Sequence, residues 1–190
     1  MAASKSVFSV DVATGWLNGA RRVPSPNFNE RPAGVNIDLL IIHNISLPPG
    51  QFGGRYVEQF FTNQLVWDEH PFFETIQDVK VSSHLFIRRK GEVVQFVPFN
   101  MRAWHAGQSC FGDRENCNDF SIGIELEGAD EVAYKEKQYV AVAAVTKALM
   151  LAYPGITPER IVGHSDVAPE RKTDPGIAFD WTRYRYLMKS

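Results

Sequence analysis

Two short apolar runs in this chain each end in a histidine. Residues 35–42 are almost continuously aliphatic, which is typical of a strand buried on both faces, and His43 follows them. Residues 158–164 predict a second, shorter strand that ends at His164. A polar loop with two prolines comes next and extends to residue 176. Functional side chains often lie at such strand ends and on the loops that follow them.

A third strand and a β-hairpin are predicted from alternating patterns. Residues 120–128 alternate apolar and polar side chains, so Glu125 is predicted on the face opposite the aliphatic ones. Residues 79–88 and 92–97 are strand-like and flank a turn that contains glycine, which predicts an antiparallel hairpin.

Helical spacing is clearest at residues 135–153, where Pro154 ends the pattern. A short helix is predicted after Arg55, and Asp180 is predicted to cap a final helix.

The remaining segments are predicted to be less regular. Residues 1–35 predict an arm with at most a helical turn at 16–20, and residues 68–73 predict irregular backbone. The polar stretch at 100–118 is long enough to suggest a functional loop.

Strands interleaved with helices, including one antiparallel pair, predict an α/β fold of the α+β type. We expect one mixed central sheet flanked by helices, in a single domain over residues 1–190 with residues 1–35 as an N-terminal arm packed on it. The 44% hydrophobic and 12% aromatic content of 190 residues is sufficient for a sizeable core.

Charge and hydropathy exclude several classes of partner. A net charge of −2 and a pI near 6.2 predict neither nucleic acid nor a membrane as partner. The N-terminus lacks the apolar core of a signal peptide and no segment has the ~20 apolar residues of a membrane span, so a cytoplasmic location is expected. In that reducing compartment Cys110 and Cys117 are expected to be free thiols.

His43 and His164 are the best metal-ligand candidates because each ends a strand. With a carboxylate they supply the three N/O ligands of a catalytic zinc site, which leaves a fourth position for water. Asp174 and Asp166 are both candidates for the carboxylate, and either could instead cap a turn; spacing leaves that choice open.

The other histidines have ordinary interpretations. His70 is predicted at the surface, His84 as a buried and hydrogen-bonded ring, and His105 as a loop residue or a contact to sugar or peptide.

Two further charged residues could carry chemistry. A desolvated Glu125 near a metal-bound water could take the water's proton, and Lys172 could stabilise an oxyanion. Their simpler interpretations are an exposed strand residue or ion pair for Glu125 and a solvated loop charge for Lys172.

Four segments together closely resemble the AmpD family of 1,6-anhydro-N-acetylmuramyl-L-alanine amidases: residues 41–50, 102–107, 117–128 and 168–176. The resemblance is in sequence order from about Trp16 to Leu187. It implies the zinc amidase fold shared with peptidoglycan-recognition proteins and a role in cytoplasmic peptidoglycan recycling. The substrate implied is a small molecule, a 1,6-anhydromuropeptide cleaved between N-acetylmuramic acid and L-alanine, and we expect a monomer.

The resemblance also implies residue roles. His43, His164 and Asp174 match the zinc ligands, which favours Asp174 over Asp166. Glu125 matches the residue that activates water, and Lys172 matches the residue that stabilises the transition state.

Substrate contacts are predicted at three positions. Asn44 resembles a position that hydrogen-bonds substrate, and Lys80 and Arg114 are candidates for the carboxylates of the stem peptide. Phe72 departs from the tyrosine common in relatives, so a hydroxyl is missing there.

Two other functions remain as alternatives to the zinc amidase. One is a non-catalytic peptidoglycan-recognition module that uses the same cleft. The other is a metal-free acid–base enzyme built on Glu125 and Glu127.

Overall fold

A computed structural model of the chain describes residues 8–189. In chain order its strands are β1 (Ser9–Asp11), β2 (Trp16–Asn18), β3 (Arg21–Arg22), β4 (Phe28–Glu30), β5 (Leu39–Ile45), β6 (Leu85–Ile87), β7 (Val93–Gln95), β8 (Met101–Ala103), β9 (Cys110–Phe111), β10 (Arg114–Glu115), β11 (Ser121–Glu127) and β12 (Ile161–Gly163). Its α-helices are α1 (Tyr56–Phe61), α2 (Pro71–Glu74), α3 (Glu136–Ala152), α4 (His164–Val167) and α5 (Trp181–Lys189). Short 3-10 turns lie at Trp67–Glu69, Cys117–Asp119 and Pro158–Arg160.

The central sheet has the spatial order β12-β5-β11-β6-β7-β3. Strands β12, β5, β11 and β6 are parallel, β6 and β7 form the antiparallel hairpin, and β3 adds to the far edge parallel to β7. The expected mixed sheet with flanking helices is therefore confirmed. Because β12, β5 and β11 are parallel neighbours, their C-terminal ends meet at one edge of the sheet.

The two faces of the sheet are covered by different elements. Helices α3 and α5 pack on the face that carries alternate residues of β5 and β11, among them Ile42 and Ile124. On the opposite face, α1 and α2 cover one half of the sheet and the 103–120 region with α4 covers the other. Both faces of the central strands are buried, as the continuous aliphatic run at 35–42 predicted.

Glu125 lies on the face opposite the α3 helix, where its register partner on β5 is His43. The alternation of residues 120–128 is thus confirmed. The face that carries Glu125 is also buried, since all residues of β11 are buried.

The N-terminal segment differs from its prediction. Residues 16–18 form strand β2 rather than a helical turn, and β2 pairs with β1 through a turn in which Asp11 Oδ1 accepts the Ala13 amide. Strands of two or three residues are too short for alternation to identify them. Residues 1–7, part of the predicted arm, lie outside the described residues.

Other segments are more regular than predicted. The stretch at 68–73 contains a 3-10 turn and helix α2, which begins at Pro71 with the His70 ring accepting the Phe72 amide. The predicted loop at 100–118 contains β8, β9 and β10.

The predicted helices at 55–61 and 135–153 are confirmed as α1 and α3. Helix α5 begins as predicted, with Asp180 Oδ1 accepting the Arg183 amide. None of the helices within residues 8–189 is long and apolar enough to span a membrane.

Candidate metal centre and active site

Three predicted ligands converge at the C-terminal edge of the parallel strands. His43 lies in β5, His164 directly follows β12, and Asp174 is on the loop after α4. His43 Nδ1, His164 Nδ1 and Asp174 Oδ2 form a triangle in which each pair of atoms is 3.0 Å apart. Among the described residues, these three form the group that is close enough to hold a metal ion.

The contact behind His164 determines which ring nitrogen faces the triangle. His164 Nε2 is 3.0 Å from the Ala106 carbonyl oxygen, which can only accept, so Nε2 carries a proton. When the ring carries no second proton, its Nδ1 lone pair points toward Asp174. Two acceptors that face each other at 3.0 Å are an arrangement that a bound cation stabilises.

The charge states of the ligands also suit a metal. Burial lowers the pKa of His43 to about 4, so this ring is neutral at neutral pH. Burial raises the pKa of Asp174, but hydrogen bonds that the His164 and His43 rings can donate to it when no cation is bound outweigh that effect and hold this pKa below its ordinary value. His43 is therefore a neutral imidazole and Asp174 an ionised carboxylate, the forms that bind metals.

The loop that carries Asp174 is fixed by hydrogen bonds to the next residue, Pro175. The Pro175 carbonyl oxygen accepts from the Tyr134 hydroxyl at 2.7 Å and from Asn44 Nδ2 at 3.0 Å. Gly176 has a φ of +79°, and a Cβ there would approach Asp130 Cα to 2.1 Å. Because these contacts hold the backbone next to Asp174, the carboxylate is positioned before any ligand binds.

Glu125 is buried beside the ligand triangle. Its Oε2 has no hydrogen-bond partner among residues 8–189. Burial, reinforced by the Asp174 charge and opposed by Lys172, raises its pKa well above the ordinary value. An unpartnered, desolvated carboxyl group next to a candidate metal site has the properties of a general base.

The structure distinguishes Asp174 from Asp166, whereas their spacing in the sequence did not. Asp166 Oδ2 accepts the Gly163 amide at 2.7 Å at the start of α4, and its side chain is outside the converging group. Lys172 is exposed on the loop between α4 and Asp174, and its charge acts on both His43 and Glu125.

The three predicted substrate contacts have different surroundings. Asn44 Nδ2 is engaged with Asp130 Oδ1 at 2.8 Å as well as with Pro175. Arg114 donates to Asp38 Oδ2 at 2.7 Å and lies 3.6 Å over the Phe120 ring, so it has structural partners already. Lys80 is exposed between α2 and β6. Substrate binding by all three remains a prediction.

The sequence predicted a functional loop at 100–118 but not its contacts with the histidines of this centre. His105, predicted as a loop residue or a contact to sugar or peptide, is buried with its Nδ1 2.9 Å from His43 Nε2. Asn118 Oδ1 accepts the backbone amides of both His105 and Ala106 and so holds the contacts behind both histidine ligands. One sequence signal was available: Gly123 interrupts a strand of larger side chains, which often marks a close approach.

Comparisons with known proteins agree with this geometry. The chain is 57% identical over 174 residues to the 1,6-anhydro-N-acetylmuramyl-L-alanine amidase AmpD of Escherichia coli strain K12, which covers 92% of this chain and 94% of the relative. A crystal structure of a selenomethionine AmpD derivative superposes with a TM-score of 0.90 at 55% identity, over 94% of this chain and 98% of that one.

A more distant structure was solved with a ligand. It is the E. coli N-acetylmuramyl-L-alanine amidase AmiD in complex with the substrate anhydro-N-acetylmuramic acid-L-Ala-D-γ-Glu-L-Lys, with a TM-score of 0.58 at 26% identity. That match covers 97% of this chain and 66% of the AmiD chain. Residues 33–177 also match the family described as N-acetylmuramoyl-L-alanine amidase. This chain therefore belongs to the N-acetylmuramoyl-L-alanine amidase family, whose members are hydrolases.

Proposed function

We propose that this protein is a zinc-dependent amidase that hydrolyses the bond between 1,6-anhydro-N-acetylmuramic acid and L-alanine in muropeptides. The observation that carries the proposal is the triangle of His43, His164 and Asp174 with the unpartnered Glu125 carboxyl beside it. Membership in the amidase family supports the reaction, and the names of its AmpD relatives support the substrate.

The donor set fits zinc. Two imidazoles and one carboxylate are a common set of protein ligands in catalytic zinc sites. The 3.0 Å edges of the triangle are close to the ~3.3 Å that separates tetrahedral ligands at bond lengths of about 2.0–2.1 Å. Small adjustments of the side chains are sufficient to accommodate the ion.

Zinc held by these residues supplies Lewis-acid chemistry, which lowers the pKa of water toward about 7 and polarises a carbonyl group. Glu125 takes the proton of the attacking water and then passes it to the leaving amine of L-alanine. Its raised pKa suits both steps because the group can hold the proton between them. Lys172 places a positive charge near the carbonyl oxygen as negative charge develops there.

An open cleft of about 640 Å³ begins at Asn44, the residue after His43, and accommodates the sugar or the peptide. Phe60 and Phe72 line it, together with Asp130. Phe72 contributes apolar surface but no hydroxyl. Lys80 and Arg114 stay candidates for the peptide carboxylates; Arg114 would have to exchange its contact with Asp38 for one with substrate.

The metal-free alternative is weaker because Glu127 is already engaged. Its Oε2 accepts the Arg89 amide at 2.8 Å, and its Oε1 accepts the Gly53 amide. Glu127 thus anchors the loop after β5 and is not placed for proton transfer.

The test is to incubate the protein with a purified anhydromuropeptide and, separately, with intact peptidoglycan, each with and without a chelator. We expect free stem peptide and anhydro-N-acetylmuramic acid, identified by mass, from the small substrate, and the second incubation measures whether the polymer is also cleaved. Activity should disappear with chelator and return when zinc is added. Tight muropeptide binding without peptide release in the zinc-loaded protein would instead support a non-catalytic recognition module.

We further propose that residues 1–190 form one amidase domain and that the protein is a monomer. Light scattering of the purified protein tests the oligomeric state. We also propose that the protein acts in cytoplasmic peptidoglycan recycling, and fractionation of cells that express it tests the location.

A further inference from the structure

His105 lies directly behind the proposed ligand His43, on the side away from the metal. The two rings are perpendicular, with centroids 5.0 Å apart and His43 Nε2 2.9 Å from His105 Nδ1. On its other side, His105 Nε2 is 3.2 Å from Ser121 Oγ. His43, His105 and Ser121 therefore form a continuous hydrogen-bonded chain from the ligand triangle into the core.

The chain of hydrogen bonds has one arrangement in which His43 can bind a metal through Nδ1. His43 Nε2 must then carry the proton and donate to His105 Nδ1. His105 in turn carries its proton on Nε2 and donates to Ser121 Oγ. In this arrangement the His43 Nδ1 lone pair faces His164 and Asp174.

The position of His105 is tightly built. A Cβ at Gly123 would lie 2.5 Å from two atoms of the His105 ring, so the ring requires glycine beneath it. The His105 amide donates to Asn118 Oδ1 at 3.1 Å. The neighbouring His84 ring, with its centroid 5.6 Å away, packs beside it. The ring thus has little freedom to move away from His43.

The two histidine ligands differ in what holds them. His164 is fixed by the Ala106 carbonyl oxygen, which can only accept, whereas His43 is fixed by a ring that can accept or donate. Ser121 Oγ can accept from His105 Nε2 or donate to it, so it permits the arrangement in which His105 Nδ1 accepts from His43.

We propose that His105 is a positioning residue that keeps His43 in its Nε2–H tautomer and so directs Nδ1 toward the metal. The proposal rests on the zinc site of the proposed function. Partners behind a metal ligand fix the orientation and tautomer of the ring, and their loss typically weakens metal binding by about 10- to 100-fold.

The first test measures zinc affinity by competition with a chromophoric chelator. His105→Ala should bind zinc about 10- to 100-fold more weakly than the wild type. His105→Asn should recover most of that loss, since its Oδ1 atom occupies roughly the place of the histidine Nδ1 and can accept from His43. A simple loss of packing would not be rescued by asparagine, which is smaller than histidine.

His84→Ala is the matched control. His84 is also a buried histidine, but its nitrogens contact the Gly123 amide and the Met101 carbonyl oxygen, and neither contacts His43. This variant should unfold at a lower temperature and, in the folded protein, keep the zinc affinity of the wild type. Unchanged zinc affinity in His105→Ala would overturn the proposal.

The second test needs no variant. Nitrogen-15 NMR of the zinc-loaded wild type should show His43 and His105 both protonated on Nε2. A zinc-loaded protein in which either ring carries its proton on Nδ1 would overturn the proposal. Absence of zinc binding by the wild type would instead overturn the proposed function.

Discussion

Two buried polar clusters share one face of the central sheet and differ in how completely their hydrogen bonds are paired. In the first, the Arg31 guanidinium donates at 2.8–3.2 Å to the main-chain carbonyl oxygens of Phe99, Asn118, Asp119 and Ser121. His84 beside it accepts from the Gly123 amide and contacts the Met101 carbonyl oxygen. In the second, atoms of His43, His164 and Asp174 converge to within 3.0 Å of one another, close enough to hold a metal ion.

The difference separates a structural cluster from a functional one. Burial lowers the pKa of Arg31 to about 10, which still leaves it charged at neutral pH. Its carbonyl contacts replace the water that the charge loses, so it joins the N-terminal segment to the loops without external help. The triangle atoms have only one another as partners on the side where they converge, and the adjacent Glu125 Oε2 has no partner within residues 8–189; this arrangement is what indicates chemistry.

The largest effect is expected from Glu125→Gln. Amide and carboxylate have nearly the same shape, but the amide cannot take a proton from water, so kcat should fall by about 10²- to 10⁴-fold. Zinc content should remain that of the wild type. The measurements are muropeptide hydrolysis and metal analysis of the same sample.

Glu74→Gln is the control for this variant, since Glu74 is exposed on α2, and it should retain full activity. Wild-type kcat in zinc-loaded Glu125→Gln would remove Glu125 from the mechanism.

A smaller loss is expected from Lys172→Ala. If Lys172 stabilises the developing oxyanion, kcat should fall by about 10²- to 10³-fold with little change in zinc affinity. Lys90→Ala, at an exposed lysine in the hairpin turn, should behave as the wild type. A change confined to KM would show that Lys172 contacts substrate without acting in the chemical step.

Arg31→Ala should affect the folding stability instead of the chemistry. It removes five hydrogen bonds from the guanidinium to buried carbonyl oxygens, and we expect the metal-free protein to lose about 2–4 kcal/mol of unfolding free energy in urea. The protein that remains folded should bind zinc normally. Zinc affinity reduced more than tenfold in a folded Arg31→Ala protein would show that the two clusters are not independent.

The smallest effect is expected in the pH dependence of stability. The pKa of Glu125 in the folded protein is raised well above its ordinary value of 4.5. At any pH between 4.5 and this raised pKa, the folded metal-free protein therefore holds a proton that the unfolded chain has lost. Wild-type stability should therefore fall as the pH rises through this window, by at most about 1.4 kcal/mol per pH unit for this group.

Metal-free Glu125→Gln lacks this dependence. Below pH 4.5, the difference in unfolding free energy between the two proteins should be constant. Above pH 4.5, the wild type should lose stability relative to the variant as the pH rises. A constant difference across the range would contradict the raised pKa.

Much of this fold was predictable from hydrophobic patterns because its central strands are seven residues long and buried. The run at 35–42 and the alternation at 120–128 located β5 and β11 and placed Glu125 on its strand; β5 begins later than predicted, at Leu39, and His43 lies within it instead of just after its end. The strands of the N-terminal segment were not predictable, since two or three residues carry no periodicity and their stability comes from pairing with distant segments.

The candidate site was less predictable than the fold. Spacing alone could not choose between Asp166 and Asp174, because the fixed loop around Pro175 depends on Tyr134 and Asn44 from other elements. The choice came from resemblance to a family. The His105 contact escaped both approaches, since it depends on how a polar loop folds over Gly123.

The dependence of activity on zinc is tested most directly by a calorimetric titration of the chelator-treated protein with zinc, for the wild type and for Asp174→Ala, with hydrolysis of an anhydromuropeptide assayed at each point. We expect about one zinc per wild-type chain, activity that rises in proportion to bound zinc, and much weaker binding with no activity in Asp174→Ala. Full hydrolysis by the metal-free wild type, or equally tight zinc binding by Asp174→Ala, would show that this protein is not an amidase with zinc at His43, His164 and Asp174.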